Sequence, residues 1–200
     1  MNPRVSELLD RIRQIENEIE LELQRRRVEL HANFEHHRVR FEHEVLEQQR
    51  RFKTGVLKYL LDADLRNLAS APFIYAVFLP LLALDLAVFV YQYICFPLYG
   101  IARVRRRDHL LFDRSHLAYL NLIEKINCAY CSYASGLISY VKEVIGRTEQ
   151  YWCPIKHSRR IHQAHANYRD FVDFGDAEAY RRELQSLRDA LAQLDAADEK

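Results

Sequence analysis

An all-α fold is predicted from three features of the chain. Glycine and proline are scarce, five of each in 200 residues, too few breakers for a turn-rich β fold. Apolar residues recur at a fixed spacing of eleven through the N-terminal third, and a long apolar run fills the middle. The predicted organisation is a long amphipathic helix over 1–70, a membrane-embedded segment over 71–102, a Cys/His-containing helical hairpin over 103–175, and a terminal helix with tail over 176–200.

The N-terminal helix rests on a countable repeat. Leu8, Ile19, Leu30, Phe41 and Phe52 lie eleven apart, as do Ile12, Leu23, Phe34, Val45 and Val56, each four residues after a member of the first set. Eleven residues over three turns is about 3.67 per turn, so the stripe stays nearly straight, with a slight right-handed supercoil. The next stripe position, occupied by Ile15, Arg26, His37, Gln48 and Tyr59, is mostly polar in the middle. A seam this narrow suits a coiled-coil contact better than burial in a globular core. A lone helix of this kind is marginal in water, so self-association is expected, with a homo-oligomer as the outcome. His31, His36, His37 and His43 are scattered around the helix and read as solvated.

Residues 73–101 hold one charged side chain, Asp85. A span needs about 20 apolar residues, which this run exceeds. Aromatics gather towards its ends, with Phe73, Tyr75 and Phe78 at one and Tyr91, Tyr93, Phe96 and Tyr99 at the other, as at membrane interfaces. A lipid bilayer is therefore the expected partner, in an inner or plasma membrane. Both flanks are basic, and the denser one, with Arg103, Arg105, Arg106, Arg107 and Arg114, places the C-terminal part in the cytoplasm. A single span would translocate the charge-dense N-terminal helix. A bend at Pro80 or near Asp85 would instead make a re-entrant wedge with two short arms and both ends in the cytoplasm, and this wedge is preferred. Asp85 itself is costly in hydrocarbon unless neutral, paired or facing protein, which makes it a functional candidate or a helix-packing residue.

Beyond the arginines, a helix is predicted over 116–145 with Ser115 as its N-cap and Gly146 as its stop. A second is predicted from Pro154 to about Phe171. The last begins at Asp176, with Tyr180, Leu184, Leu187, Leu191 and Leu194 spaced for one helical face.

Three of the four cysteines follow the apolar run, in CAYC (Cys128, Cys131) and CPIKH (Cys153, His157). Cys3His is a legitimate zinc shell, and thiolates also suit iron. Spacing along the predicted helices separates Cys131 from Cys153 by too many turns. Opposite Cys128 and Cys131 in an antiparallel return would stand His162 and His165, a Cys2His2 alternative. Zinc or iron held by some of these six residues makes the chain a membrane-bound metalloprotein. The competing reading treats the cysteines as small buried hydrophobes and the histidines as solvated, leaving a membrane-anchored, self-associating scaffold. Neither GxSxG nor a glycine-rich phosphate loop occurs, so no catalytic motif supports an enzyme. The 29 basic and 28 acidic residues leave a net charge of +1, and no global field steers the chain to nucleic acid. The first 50 residues hold no apolar h-region, so no secretory signal is expected.

Overall fold

The computed structural model describes residues 3–29, 32–35, 38–41, 43–159 and 161–197. The fold is all-α in class: seven α-helices carry it, joined by one short hairpin and three 3-10 turns among the described residues. It divides into two compact units, Met1–Asp62 with Asp113–Ala129, and Ala63–Phe112 with Tyr130–Lys200.

In the first unit the predicted continuous helix is broken. Helix α1 (Pro3–Glu29) ends before an antiparallel hairpin of β1 (Ala32–Glu35) and β2 (Arg38–Phe41), which is followed by α2 (His43–Arg50) and α3 (Val56–Leu61). The register sets Phe34 opposite Val39 and Glu35 opposite Arg38. Two apolar residues per eleven bury too little to hold a helix through this stretch, and Phe34, Val39 and Phe41 prefer strands. Leu30, His31, His36 and His37, with the side chains of Phe34, Phe41, His43 and Val45, lie outside the described residues. The α1 stripe is regular where it is described: Leu8, Ile12, Ile15, Ile19 and Leu23 are all exposed. The Gln49 side chain accepts a hydrogen bond from the Ala118 N–H at 3.3 Å. Asn121 and Glu124 bond reciprocally, each side chain to the other's backbone N–H at 3.0 and 2.8 Å, a capping box that starts α6 (Leu122–Trp152).

The second unit begins at Asp64, whose carboxylate accepts the Arg66 N–H and caps α4 (Leu65–Ala76). Helix α5 (Phe78–Tyr99) follows after Val77 alone. Pro80 withholds an N–H from the carbonyl four residues earlier, which interrupts the ladder there. Val77 nevertheless keeps right-handed helical angles, φ −62° and ψ −18°. The stretch Leu65–Tyr99 is the one helix among the described residues long and apolar enough to cross a membrane. The re-entrant wedge is not formed, because α5 passes unbroken through Asp85. Proline in the first turn of a helix costs little, and the Asp85 charge is met by partners on the inner face, so nothing there forces the chain to turn.

The reversal comes at Gly100, left-handed at φ 67°, with the Ile101 N–H returning to the Phe96 carbonyl at 2.9 Å, a Schellman-type stop that favours glycine. Residues 101–110 then run back along α5: Val104 bonds Gln92, and Arg106 reaches Asp85. Helix α6 packs beside them, parallel to α5, since partners advance together in sequence. Tyr130 donates to the Ile74 carbonyl at 2.8 Å, Tyr133 meets Phe78, Tyr140 meets Gln92, and Tyr99 meets Tyr151. Phe96, Ile101, Val104, Leu137, Tyr140, Val141, Val144 and Leu191 form the core.

Helix α6 occupies 122–152 and not 116–145. Ser115 lies in a 3-10 turn, and Gly146 is interior. Gly146 serves packing: a β-carbon there would stand 2.5 Å from the His165 ring. Among the described residues of 154–171 no α-helix forms. Instead Ile155 makes a parallel bridge with Val172, bonded from Val172 N–H to Pro154 O at 2.9 Å and from Lys156 N–H to Val172 O at 2.8 Å. Asp176 caps α7 (Ala177–Ala197) through the Ala179 N–H at 2.9 Å, as predicted. Helix α7 docks through Leu191, and its Leu187 carbonyl accepts from Gln150 at 2.7 Å.

Candidate functional site

Helix α5 inverts the usual order of a water-soluble helix. Leu81, Leu84, Asp85, Val88, Tyr91, Gln92, Phe96 and Tyr99 face inward at helical spacing, while Leu79, Leu82, Leu86, Phe89, Val90, Tyr93, Ile94 and Leu98 are exposed. The two polar residues, Asp85 and Gln92, are each 7% exposed. They stand seven apart and therefore share a face, forming a polar seam between α5, the return segment and α6.

At one end of the seam, Asp85 Oδ2 accepts from the Arg106 guanidinium and from the Tyr133 hydroxyl, the latter at 2.8 Å. Its Oδ1 is buried with no hydrogen-bond partner among the described residues. A buried carboxylate needs such compensation, because desolvation costs several kcal/mol, on the order of what pairing returns. Burial pushes the Tyr133 hydroxyl up to about 12, aided by its bond to Asp85 and the carboxylate's charge, with Arg106 opposing. Tyr133 is thus held as a neutral donor. At the other end, Gln92 behaves like a strand backbone: its Oε1 accepts the Val104 N–H at 2.9 Å, and its Nε2 reaches Val104 O at 3.3 Å and Tyr140 Oη at 3.1 Å. Burial raises the Tyr140 hydroxyl as well, with Arg106 opposing and Asp85 adding to the rise. Apart from Asp85 Oδ1, donors and acceptors are matched well enough to fix the return segment against α5.

Close approach completes the seam. Gly136 lies under the His109 carbonyl, where a β-carbon would come within 2.6 Å, and the His109 ring meets the Ser139 hydroxyl at 2.9 Å. Asp85 was legible as a candidate from its isolation in the apolar run. Gln92, Tyr133 and Tyr140 were not singled out, although the seven-residue interval from Asp85 to Gln92 marks one helix face.

The Cys/His set does not assemble. No group of three or more His, Cys, Asp or Glu side chains converges among the described residues. Cys128 and Cys131 are on α6, Cys153 follows its end, and Cys131 and Cys153 are exposed. The His157 ring stacks near-parallel to Tyr168, its backbone N–H donates to the Tyr168 hydroxyl at 2.6 Å, and His162 is exposed. His165 is buried against Gly146 and bonds Glu149 at 3.2 Å. Gly146 is fifteen residues from Cys131 on the same helix, roughly 22 Å at the helical rise, so Cys131 and His165 are not brought together. The antiparallel helix that would have returned His162 and His165 to the CAYC motif is replaced by the extended stretch around Ile155.

The chain was also compared with known proteins: no family model matches it, and no curated protein or solved structure matches it.

Proposed function

We propose that this chain is a membrane-bound helical scaffold, held to the bilayer by Leu65–Tyr99 and offering α1 for association with a second copy. One observation carries the membrane part: every large side chain that α5 exposes is apolar, while its carboxylate and its amide are turned inward and bonded. A water-soluble helix would do the reverse. An apolar patch of this extent marks a membrane or protein contact. The basic residues after Gly100 support an inner or plasma membrane with this part of the chain cytoplasmic. The exposed α1 stripe from Leu8 to Leu23 supports self-association through a seam two residues wide.

Flotation with anionic vesicles tests the membrane reading. The wild-type chain is expected to rise with lipid, and the double variant Leu86→Glu, Phe89→Glu to stay behind with unchanged helical circular dichroism. Wild-type protein that remains at the bottom of the gradient would overturn the proposal.

A further inference from the structure

We infer that α5 lies in the plane of an anionic lipid surface, outer face down, and does not cross the bilayer. The inference rests on the membrane-bound reading above and concerns how the membrane is met. By length α5 would suffice to cross: 22 residues make about 33 Å, against a hydrocarbon core of about 30 Å. What lies beside it decides otherwise.

The segment after Gly100 runs back along α5, so anything at the depth of α5 carries this segment with it. Asp85 lies near the middle of the apolar run 73–101, and Arg106 is held against it. A crossing helix would therefore place Arg106, Arg107 and Asp108 near the centre of the hydrocarbon, with side chains 47%, 70% and 43% exposed. These residue types are among the costliest to leave there. Helix α6 adds an exposed Lys142 beside the Gln92 level, two residues from Tyr140.

Laid flat, the same unit has no such conflict. Peripheral amphipathic helices bury one apolar face and keep a charged one in water; here the charged face is supplied by the return segment and α6. The ends of the apolar face fit the headgroup layer. Tyr93 is exposed with the Arg103 guanidinium 4.8 Å above its ring, an aromatic and a cation placed together as an anionic interface favours. Trp152 is exposed beside Tyr99. Both flanks then stay on one side of the membrane, and the charge-dense N-terminal residues need not be translocated.

Depth measurements separate the possibilities. In a full-length chain with its four native cysteines replaced by alanine, L79C, L86C and Y93C place nitroxide labels seven residues apart on the exposed face. Oxygen and nickel relaxation in phosphatidylglycerol-containing vesicles is expected to give one common, shallow depth. A profile deepest at position 86 and shallower at 79 and 93 would overturn the inference while leaving the membrane-bound reading intact. Labels that stay aqueous on protein that does not bind vesicles would overturn both. Strong coupling between labels without lipid would assign the face to a second copy and likewise overturn both. The unmodified chain gives a second test: trypsin added outside the vesicles is expected to cut every bound molecule at both Arg66 and Arg107. Protection of one flank would overturn the in-plane arrangement.

Discussion

Helices α5 and α7 meet one core and turn opposite faces to their surroundings. Each contributes a fully buried residue, Phe96 and Leu191. Outside, α7 shows Arg181, Arg182, Gln185 and Asp189, with Arg182 reaching Glu183 at 2.8 Å and Gln185 reaching Asp189 at 2.9 Å. The outer face of α5 carries no charge at all. Inside, α7 brings an apolar leucine, while α5 brings a carboxylate and an amide. Burial alone therefore does not identify a helix's environment; the chemistry of the face left uncovered does.

The comparison can be broken first at the polar interior of α5. Arg106→Ala leaves the buried Asp85 carboxylate without its guanidinium, and removing one partner so that the other charge stays buried costs about 3–5 kcal/mol. A large fall in the denaturation midpoint in mild detergent is the expected reading. Leu191→Ala on α7 tests the ordinary apolar interior and is expected to cost about 2–5 kcal/mol, seen in the same unfolding experiment but with no change in vesicle binding by folded protein. Gly136→Ala is expected to cost about 1–3 kcal/mol by overpacking, because its β-carbon would meet a backbone carbonyl rather than a mobile side chain.

The smallest effect is a pH dependence. The Tyr133 hydroxyl has an ordinary value of 10.0 and is raised to about 12 in the fold, so the folded state favours its neutral form. That contribution is complete below pH 10 and is lost as pH rises through 12. Urea midpoints measured from pH 9 to 12 should fall more steeply for the wild type than for Tyr133→Phe.

What the sequence disclosed was local. The apolar run between Pro72 and Ile101, the Asp176 cap and the α7 leucine spacing all depend on neighbours a few residues away, and each stands in the structure. The start of α6 was equally local, since Asn121 and Glu124 have capping-box spacing, but Ser115 offered a competing cap six residues earlier. The hendecad pattern was real as a pattern and insufficient as a helix, because a seam of two residues per eleven does not outweigh the strand preference around Phe34 and Val39. The seam itself was only half legible. Asp85 was conspicuous, whereas Tyr133 and Tyr140 are two of twelve tyrosines, and nothing near them in sequence announces a partner on α5. The Cys/His grouping depended on distant neighbours too, because its geometry required a return helix that the bridge between Ile155 and Val172 displaces.

The left-handed turn at Gly100 also sets an order of events during synthesis. The chain emerges from its N-terminus, so α5 is complete before any residue that neutralises it. The partners of Asp85 are made 21 and 48 residues later, and the tyrosine that meets Gln92 comes 48 residues after it. Until then the apolar helix carries a bare carboxylate and an unpaired amide, polar groups that are costly in an apolar surrounding. Neutralising these groups therefore waits for the return segment and α6, and the polar interior closes only once both have been made.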